Sequence, residues 1–155
     1  MRTCEIRTCR EDAGYSIVEL LVVLVVLAAS AMIVGPRVSE SRDAITVNAA
    51  GHRLAAALAR TRAGSIADSA PRDFVLDLDK RGFGPDRDKT LKQLAPGIAL
   101  TASGFISEPG GRRMRVRFMP DGRATGGAII LRKSKSAVSV AVDWLTGVVR
   151  VRRLG

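Results

Sequence analysis

Residues 15–34 read YSIVELLVVLVVLAASAMIV, and this stretch decides the fold because Glu19 is its only charged residue. Twenty residues in an α-helix span about 30 Å, which is the thickness of the hydrocarbon core of a bilayer. A lone segment in lipid must be helical, since unpaired backbone groups are too costly there. We therefore predict a transmembrane helix over residues 15–35, with Gly35-Pro36 bending or ending it.

Glu19 is the unusual residue of this stretch. A carboxylate in an apolar segment costs roughly 2.5–3.5 kcal/mol at the bilayer centre and less near an end. Glu19 lies about one turn into the helix, so it either reaches the lipid headgroups or pairs with a cation on a partner. The uninterrupted apolar run that follows Glu19 favours the second alternative, a cation on a partner.

A cleaved secretory signal is the competing interpretation of the same stretch. Ala29-Ser30-Ala31 supplies the small-x-small cut site that such a signal requires. However, Glu11 and Asp12 stand where a signal peptide carries positive charge, and Glu19 interrupts the apolar run. These acids favour a retained helix.

Composition limits the chemistry of the chain. The 155 residues carry a formal net charge of +10, which allows nucleic acid, an anionic membrane or an acidic protein as partner. Both cysteines, Cys4 and Cys9, precede the apolar stretch, and His52 is the only histidine. Ser-His-Asp catalysis thus has a single candidate base, and zinc has almost no ligands. We predict a protein that is not an enzyme, with no cofactor or metal site.

One stretch loosely copies a calcium-binding loop. Asp77 and Asp79 precede Gly82 and Asp88 at about the spacing of an EF-hand. Arg81 places a cation at a ligand position, so we interpret the stretch as an acidic strand end.

Residues 36–70 continue with a helical pattern that is rich in alanine, a strong helix former. Residues predicted to cover one side are Val38, Ile45, Ala49, His52, Leu54, Ala55, Leu58, Ala59 and Ile66. We predict one helix of about fifty residues, embedded in the membrane at first and amphipathic later, that ends before Pro71.

Residues 71–155 have the pattern of a β-rich globular domain. Alternation predicts strands at 74–78, 98–103, 114–118, 128–132, 137–143 and 148–152, with glycine-containing loops at 82–86, 104–111 and 122–127. Short links between strands imply antiparallel pairing. The predicted fold class is α+β: a long N-terminal, partly transmembrane helix packed on a small antiparallel β-sheet domain.

Two groups of arginines lie on these predicted strands. Arg112, Arg113, Arg115 and Arg117 form one group, and Arg150 and Arg152 belong to the other. If the two strand faces adjoin, the six arginines form a basic strip that could hold phosphates. A solvated basic face is the interpretation we favour over DNA binding, because few aromatic residues are available for base stacking.

The start of the chain resembles a known signal. Gly14-Tyr15-Ser16-Ile17-Val18-Glu19-Leu20-Leu21 resembles the class III signal of type IV pilins and type II secretion pseudopilins. The resemblance implies that residues 1–14 are a leader, that a prepilin peptidase cuts between Gly14 and Tyr15, and that Tyr15 is then N-methylated. After the cut, the positively charged amine at Tyr15 of a neighbouring subunit is the cation that we expect Glu19 to pair with during assembly.

Three later segments resemble one subfamily. LARTRA (58–63), FMPDGRATGG (118–127) and VDWLTGVVR (142–150) resemble the GspH/FimT-type minor pseudopilins. The resemblance implies a pilin-like fold and a subunit of the type II secretion pseudopilus, anchored in the inner membrane with its domain in the periplasm. Implied partners are other pseudopilins, the prepilin peptidase, the inner-membrane assembly platform and membrane lipid. The alternative it implies is a FimT-like minor pilin for type IV pilus assembly, with DNA bound by the basic strip.

Overall fold

The computed structural model describes residues 16–86, 91–108, 110 and 112–154, with the backbone alone for residues 32–40. The chain divides into two units, residues 1–37 and residues 38–155. A single helix, α1 (Ile17–Ala67), contributes to both units, and its backbone remains helical through Pro36.

The described part of the first unit is the beginning of α1. Ser16 precedes the helix, and its hydroxyl accepts a hydrogen bond from the amide of Val18 at 3.3 Å. Its carbonyl also accepts the amide of Glu19 at 3.0 Å. Within the described part of the chain, no helix combines the length and the apolarity that a membrane crossing requires. Residues 32–35 of the predicted membrane segment lie outside the described side chains.

The later part of α1 buries one stripe of side chains. The buried residues recur every three or four positions: Val47, Ala50, Gly51, Leu54, Ala57, Leu58, Thr61 and Ser65. The predicted stripe is therefore wrong in part, since five of its residues are exposed: Ile45, Ala49, His52, Ala59 and Ile66. Val38 lies outside the described side chains. At about 100° per residue, Ile45 lies on the opposite side of the helix from Leu54.

Nine strands follow the helix in the part of the chain that the structure describes. They are β1 (Arg72–Asp77), β2 (Gly82–Pro85), β3 (Lys92–Gln93), β4 (Ala99–Ser103), β5 (Ile106–Ser107), β6 (Arg113–Phe118), β7 (Gly127–Lys133), β8 (Ser136–Val142) and β9 (Val149–Leu154). The first sheet has the order β3-β2-β1-β6-β5, and the second has the order β4-β7-β8-β9. Every paired strand is antiparallel, as predicted.

Six of these strands match the predicted ones to within a few residues. The prediction of loops at 82–86 and 104–111 is wrong, because they contain β2 and β5, and β3 was also not predicted. Glycine and proline are depleted in strands, so the GFGP of β2 gives no strand signal. Glycine gives room there, because a Cβ at Gly82 would lie only 3.0 Å from the Cβ of Leu91. The prediction of a single sheet is also wrong, since the described strands form two sheets.

One hydrophobic core joins the helix to both sheets. Leu54 and Leu58 of α1 share it with Phe74 of the first sheet and with Ile129 and Val140 of the second. A Cβ at Gly51 would lie 2.8 Å from Cγ1 of Val138, so glycine lets the helix approach β8 closely. The predicted α+β fold, with a helix packed on antiparallel sheets, is confirmed.

Replacing Leu54 by alanine tests this core. Leu54 is fully buried, so Leu54→Ala should lower the free energy of unfolding by about 2–5 kcal/mol through lost burial and the cavity left behind. The matched control is Ile45→Ala on the same helix, where 68% of the residue is exposed and the expected change is within about 0.5 kcal/mol. Urea unfolding of the full chain in detergent micelles, followed by circular dichroism, measures both. Equal losses from the two variants would contradict the stripe.

Candidate functional site

The predicted processing residues Gly14 and Tyr15 lie outside the described residues. Glu19 occupies the first turn of α1 and is exposed, where a negative charge interacts favourably with the helix dipole. Within the part of the chain that the structure describes, no cation pairs with it. Large apolar side chains around it are also exposed: Ile17, Val18, Leu20, Leu21, Val22, Val23, Leu24, Val25, Val26 and Leu27.

The three segments that resemble GspH/FimT proteins meet around Arg62 of α1. Its Nε donates hydrogen bonds to the carbonyl oxygens of Gly122 and Thr146, both at 3.1 Å. One turn later, the Ser65 hydroxyl donates to the carbonyl of Met119 at 3.2 Å. The end of α1 therefore holds two loops that are distant in sequence. The three motifs meet through bonds to backbone carbonyls, so their role at this place is structural.

The first of these loops is the turn after β6. The amide of Gly122 donates to the carbonyl of Met119 at 2.9 Å, and Gly122 has a φ of +86°, which favours glycine. Asp121 accepts the backbone amide and the Nε of Arg123 at 3.0 and 2.7 Å. These bonds, the backbone one first, hold the pKa of Asp121 below its usual value.

The second loop, residues 143–148, is named the Trp144 loop. Oδ1 of Asp143 accepts the amides of Leu145 and Thr146 and the Thr146 hydroxyl, at 3.1, 2.9 and 3.0 Å. The Thr146 amide is the largest cause of the lowered pKa of Asp143. The loop holds Trp144 and Leu145 at its surface, 65% and 55% exposed.

The arginines of β6 face acids on β1 and nearby loops. Strand register places Arg117 opposite Asp73 and Arg113 opposite Asp77. Asp73 accepts from Nε of Arg117 at 2.7 Å and from Nη1 of Arg115 at 2.9 Å. Arg115 also donates to Glu108 at 2.6 Å. Most of the positive charge on this strand face is therefore neutralised by neighbouring carboxylates.

These contacts change the acidity of the groups involved. The hydrogen bond from Arg117 is the largest cause that holds the pKa of Asp73 below its usual range, although burial opposes it. Hydrogen bonds to Glu108 and then Asp73 raise the pKa of Arg115. The side chain of Asp73 is only 13% exposed, so water screens the pair weakly.

The structure brings together only part of the predicted strip. Arg113, Arg115 and Arg117 lie on β6 in the first sheet, while Arg150 and Arg152 lie on β9, an edge strand of the second sheet. The remaining residue, Arg112, pairs with Asp79 at 3.2 Å. Arg150 and Arg152 are exposed.

The acids of the stretch that resembles a calcium-binding loop are bound to groups of the protein itself. Asp77 is buried and accepts the amide of Lys80 at 2.9 Å and Nε of Arg113 at 3.2 Å. Asp79 pairs with Arg112, and Asp88 lies outside the described residues. Among the side chains that the structure describes, no group of three histidine, cysteine or acidic residues is arranged to hold a metal ion.

Three residues of this region were not among the predicted site residues: Arg62, Asp73 and Trp144. Asp73 could have been suspected from the sequence, because one predicted strand carries an acid and another carries alternating arginines. A single sequence does not show, however, that these two strands pair, or in which register. Arg62 belongs to the LARTRA motif, but nothing in the sequence indicates that it contacts two loops.

Comparisons with known proteins agree with the resemblance found in the sequence. No family model matches the chain. A protein named Type II secretion system protein H, from Xanthomonas campestris pv. campestris, is 28% identical over 151 residues, covering 91% of this chain and 83% of that protein. This similarity confirms the predicted resemblance to GspH-type pseudopilins.

Two solved structures are also similar to the chain. One is the minor pseudopilin EpsH from the type 2 secretion system of Vibrio cholerae, with 17% identity, a TM-score of 0.47, and coverage of 70% of this chain and 96% of that one. The other is the type IV minor pilin FimU of Pseudomonas aeruginosa, with 10% identity, a TM-score of 0.48, and coverage of 70% and 88%.

Asp73→Asn tests the ion network on the first sheet. The variant should lose about 1–3 kcal/mol of unfolding free energy at pH 7, because two arginines lose a charged acceptor. The pKa of Asp73 is lowered in the folded state, so its contribution is present above the unfolded pKa and lost as pH falls through the folded pKa. Asp73→Asn should therefore show a smaller fall in stability between about pH 5 and pH 2.

The matched control for this prediction is Asp79→Asn. Asp79 and Arg112 form an ion pair between exposed side chains, so Asp79→Asn should lower the free energy of unfolding by less than about 1 kcal/mol. The stability of this variant should fall with decreasing pH as much as that of the wild type. Urea unfolding of the full chain in micelles over this pH range measures all three proteins. An Asp73→Asn variant with the full wild-type acid dependence would refute the assignment.

Proposed function

We propose that this chain is a minor pseudopilin of a type II protein secretion system. In this role it is a structural subunit, not an enzyme, of the pseudopilus that spans the periplasm and helps to export folded proteins. The observation that carries the proposal is the similarity to Type II secretion system protein H over 91% of the chain. A match of that extent must include much of both units, the apolar helix start and the β-rich domain.

We further propose that the chain is a single-pass protein of the inner membrane. Residues 15–35 would form the membrane half of the helix, residues 36–70 its amphipathic half, and residues 71–155 the periplasmic domain. The described start of α1 supports this assignment, because its exposed side chains between Ile17 and Ala31 are apolar apart from Glu19 and Ser30. A helix that is apolar all round is stable only when lipid or neighbouring helices cover it.

The processing that accompanies this role involves Gly14 and Tyr15. A prepilin peptidase would cut between them and leave Tyr15 with a free, then methylated, amine. Glu19 would pair with that amine on a neighbouring subunit at the assembly platform. Pairing neutralises two charges that lipid disfavours, so it selects one register between neighbouring helices.

The alternative function, a FimT-like minor pilin that binds DNA, has weaker support. Arg115 and Arg117 are bound to Asp73, and Arg113 is bound to Asp77, so phosphates would have to displace carboxylates. Neighbouring genes distinguish the two functions, since a secretin and a secretion ATPase accompany one, and pilus retraction or competence genes accompany the other.

The mature N-terminus tests the processing. Mass spectrometry of the protein purified from membranes should find N-methylated Tyr15 as the first residue. A chain that begins at Met32 would instead show a cleaved secretory signal, and one that begins at Met1 would show no processing. Either of these results would contradict the proposed pseudopilin maturation.

Glu19→Gln tests the pairing in assembly. The variant keeps the size of the side chain and loses its charge, so incorporation into the pseudopilus should fall by about tenfold or more if a charge pair worth over 1.4 kcal/mol is lost. The measurement is subunit cross-linking in membranes, with secretion of an exported protein into the medium as the second readout. Asp79→Asn, far along the chain in an exposed ion pair, is the control that should assemble normally. Wild-type assembly of Glu19→Gln would refute the pairing, whereas the N-terminus result would stand.

A further inference from the structure

We infer that the Trp144 loop is a docking contact for a second, different pilin-like subunit whose surface offers an apolar hollow bordered by acidic side chains. The identity of the partner class rests on the proposed function. The contact itself rests on how the loop is built, on what it exposes, and on the charges around it.

The loop is rigid where it carries Trp144. Asp143 accepts three hydrogen bonds from Leu145 and Thr146, and the Gly147 amide donates to the Asp143 carbonyl at 2.8 Å. Gly147 has a φ of +64°, and a Cβ there would collide with the Gly122 carbonyl oxygen. A partner that binds this loop would therefore pay little entropy for ordering it.

The backbone of Trp144 is also held from the other side. Its carbonyl accepts the amide of Ala124 at 3.1 Å. A Cβ at Gly126 would lie 2.9 Å from the Cβ of Trp144, so glycine lets the two segments touch. The base of the side chain is thus packed while the residue as a whole is 65% exposed.

The surface around Trp144 is partly apolar and contains two hollows. One hollow beside the indole is lined by Met119, Pro120 and Ala124 together with the charged Asp121 and Arg123. A second hollow is lined by residues that include Gly127, Val142 and Val148. Tryptophan is enriched among the residues that dominate binding energy at protein interfaces, especially where it can enter a pocket on the partner. A projecting indole between two hollows fits that role.

The charges around the loop select the partner. A second copy of this chain is disfavoured, because each copy carries a net charge of +10. Nucleic acid is disfavoured at this surface, because Trp144 is the only aromatic among the exposed large apolar side chains of the described residues, and one ring offers a single stacking platform. Arg62, Arg123 and Arg150 surround the same loop and leave a small positive excess. An acidic protein surface satisfies both the local and the overall charge.

The patch is small for a free complex, since stable interfaces bury about 800 Å² on each partner. Within a filament the helices already hold the subunits together, so a small contact acts at high effective concentration. The Trp144 loop would then select which subunit stands next to this one.

Site-specific photo-cross-linking in the source bacterium tests the inference on the full chain. A benzoylphenylalanine residue replaces Trp144 in one strain and Lys92, an exposed residue of β3, in the control strain. The expected product at position 144 is an adduct with one other pseudopilin, identified by mass spectrometry and more acidic than this chain. An adduct with a second copy or with DNA, or none above the control, would overturn the inference.

Two substitutions separate this inference from the proposed function. Trp144→Ala should reduce the yield of that heterologous cross-link from a neighbouring probe at Leu145 by about tenfold, while Trp144→Phe should keep most of it. If deletion of the chain abolishes secretion but Trp144→Ala gives the wild-type cross-link, only the docking contact is refuted. If the deletion strain secretes normally, the proposed function fails as well.

Discussion

The stripe from Val47 to Ser65 is the constraint on which the described fold depends. Each of the two sheets has one apolar face, and both faces need cover from water. The stripe supplies it for both, because Leu54 and Leu58 share one core with Phe74 of β1 and Val140 of β8. Once this face is buried, the rotation of the helix is fixed. Arg62 then lies where it can reach Gly122 and Thr146, so the loops depend on the stripe as well.

Much of this fold could be predicted from the sequence. Six strands alternate clearly between apolar and polar residues, and the alanine-rich helix has no competing pattern. The face of the helix was harder to predict, since alanines occur on every side and a few large residues decide the stripe. Strand β2 could not be predicted, because glycine and proline disfavour strands in general, whereas its glycines here give room to Leu91. The division into two sheets depends on pairing between distant segments, such as β1 with β6, which one sequence does not reveal.

Part of the candidate site, the arginines, could be predicted from the sequence, whereas Arg62, Asp73 and Trp144 could not. The arginines of β6 are evident in the sequence, yet their effect depends on Asp73, which register places opposite Arg117. A shift by one residue would turn these arginines to the face opposite Asp73, so the sequence alone does not give their pairing. Asp143 and Gly147 mark a turn in the sequence, but only the fold shows that this turn leaves a tryptophan at the surface.

The distribution of charge and apolar surface points to assembly as the purpose of this architecture. The first sheet binds its arginines to carboxylates within the chain, which reduces their value for an outside ligand. Among the described residues, two groups of large apolar side chains are exposed, along the start of α1 and at Trp144 and Leu145, besides scattered residues such as Ile45 and Ile106. Contiguous apolar surface is rarely left to water in a protein that acts alone, since covering it is favourable. The two exposed regions differ in what can cover them. The start of α1 exposes apolar side chains all round the helix, which suits lipid or other helices. The Trp144 loop exposes a single indole from a fixed backbone, which suits a protein surface of complementary shape.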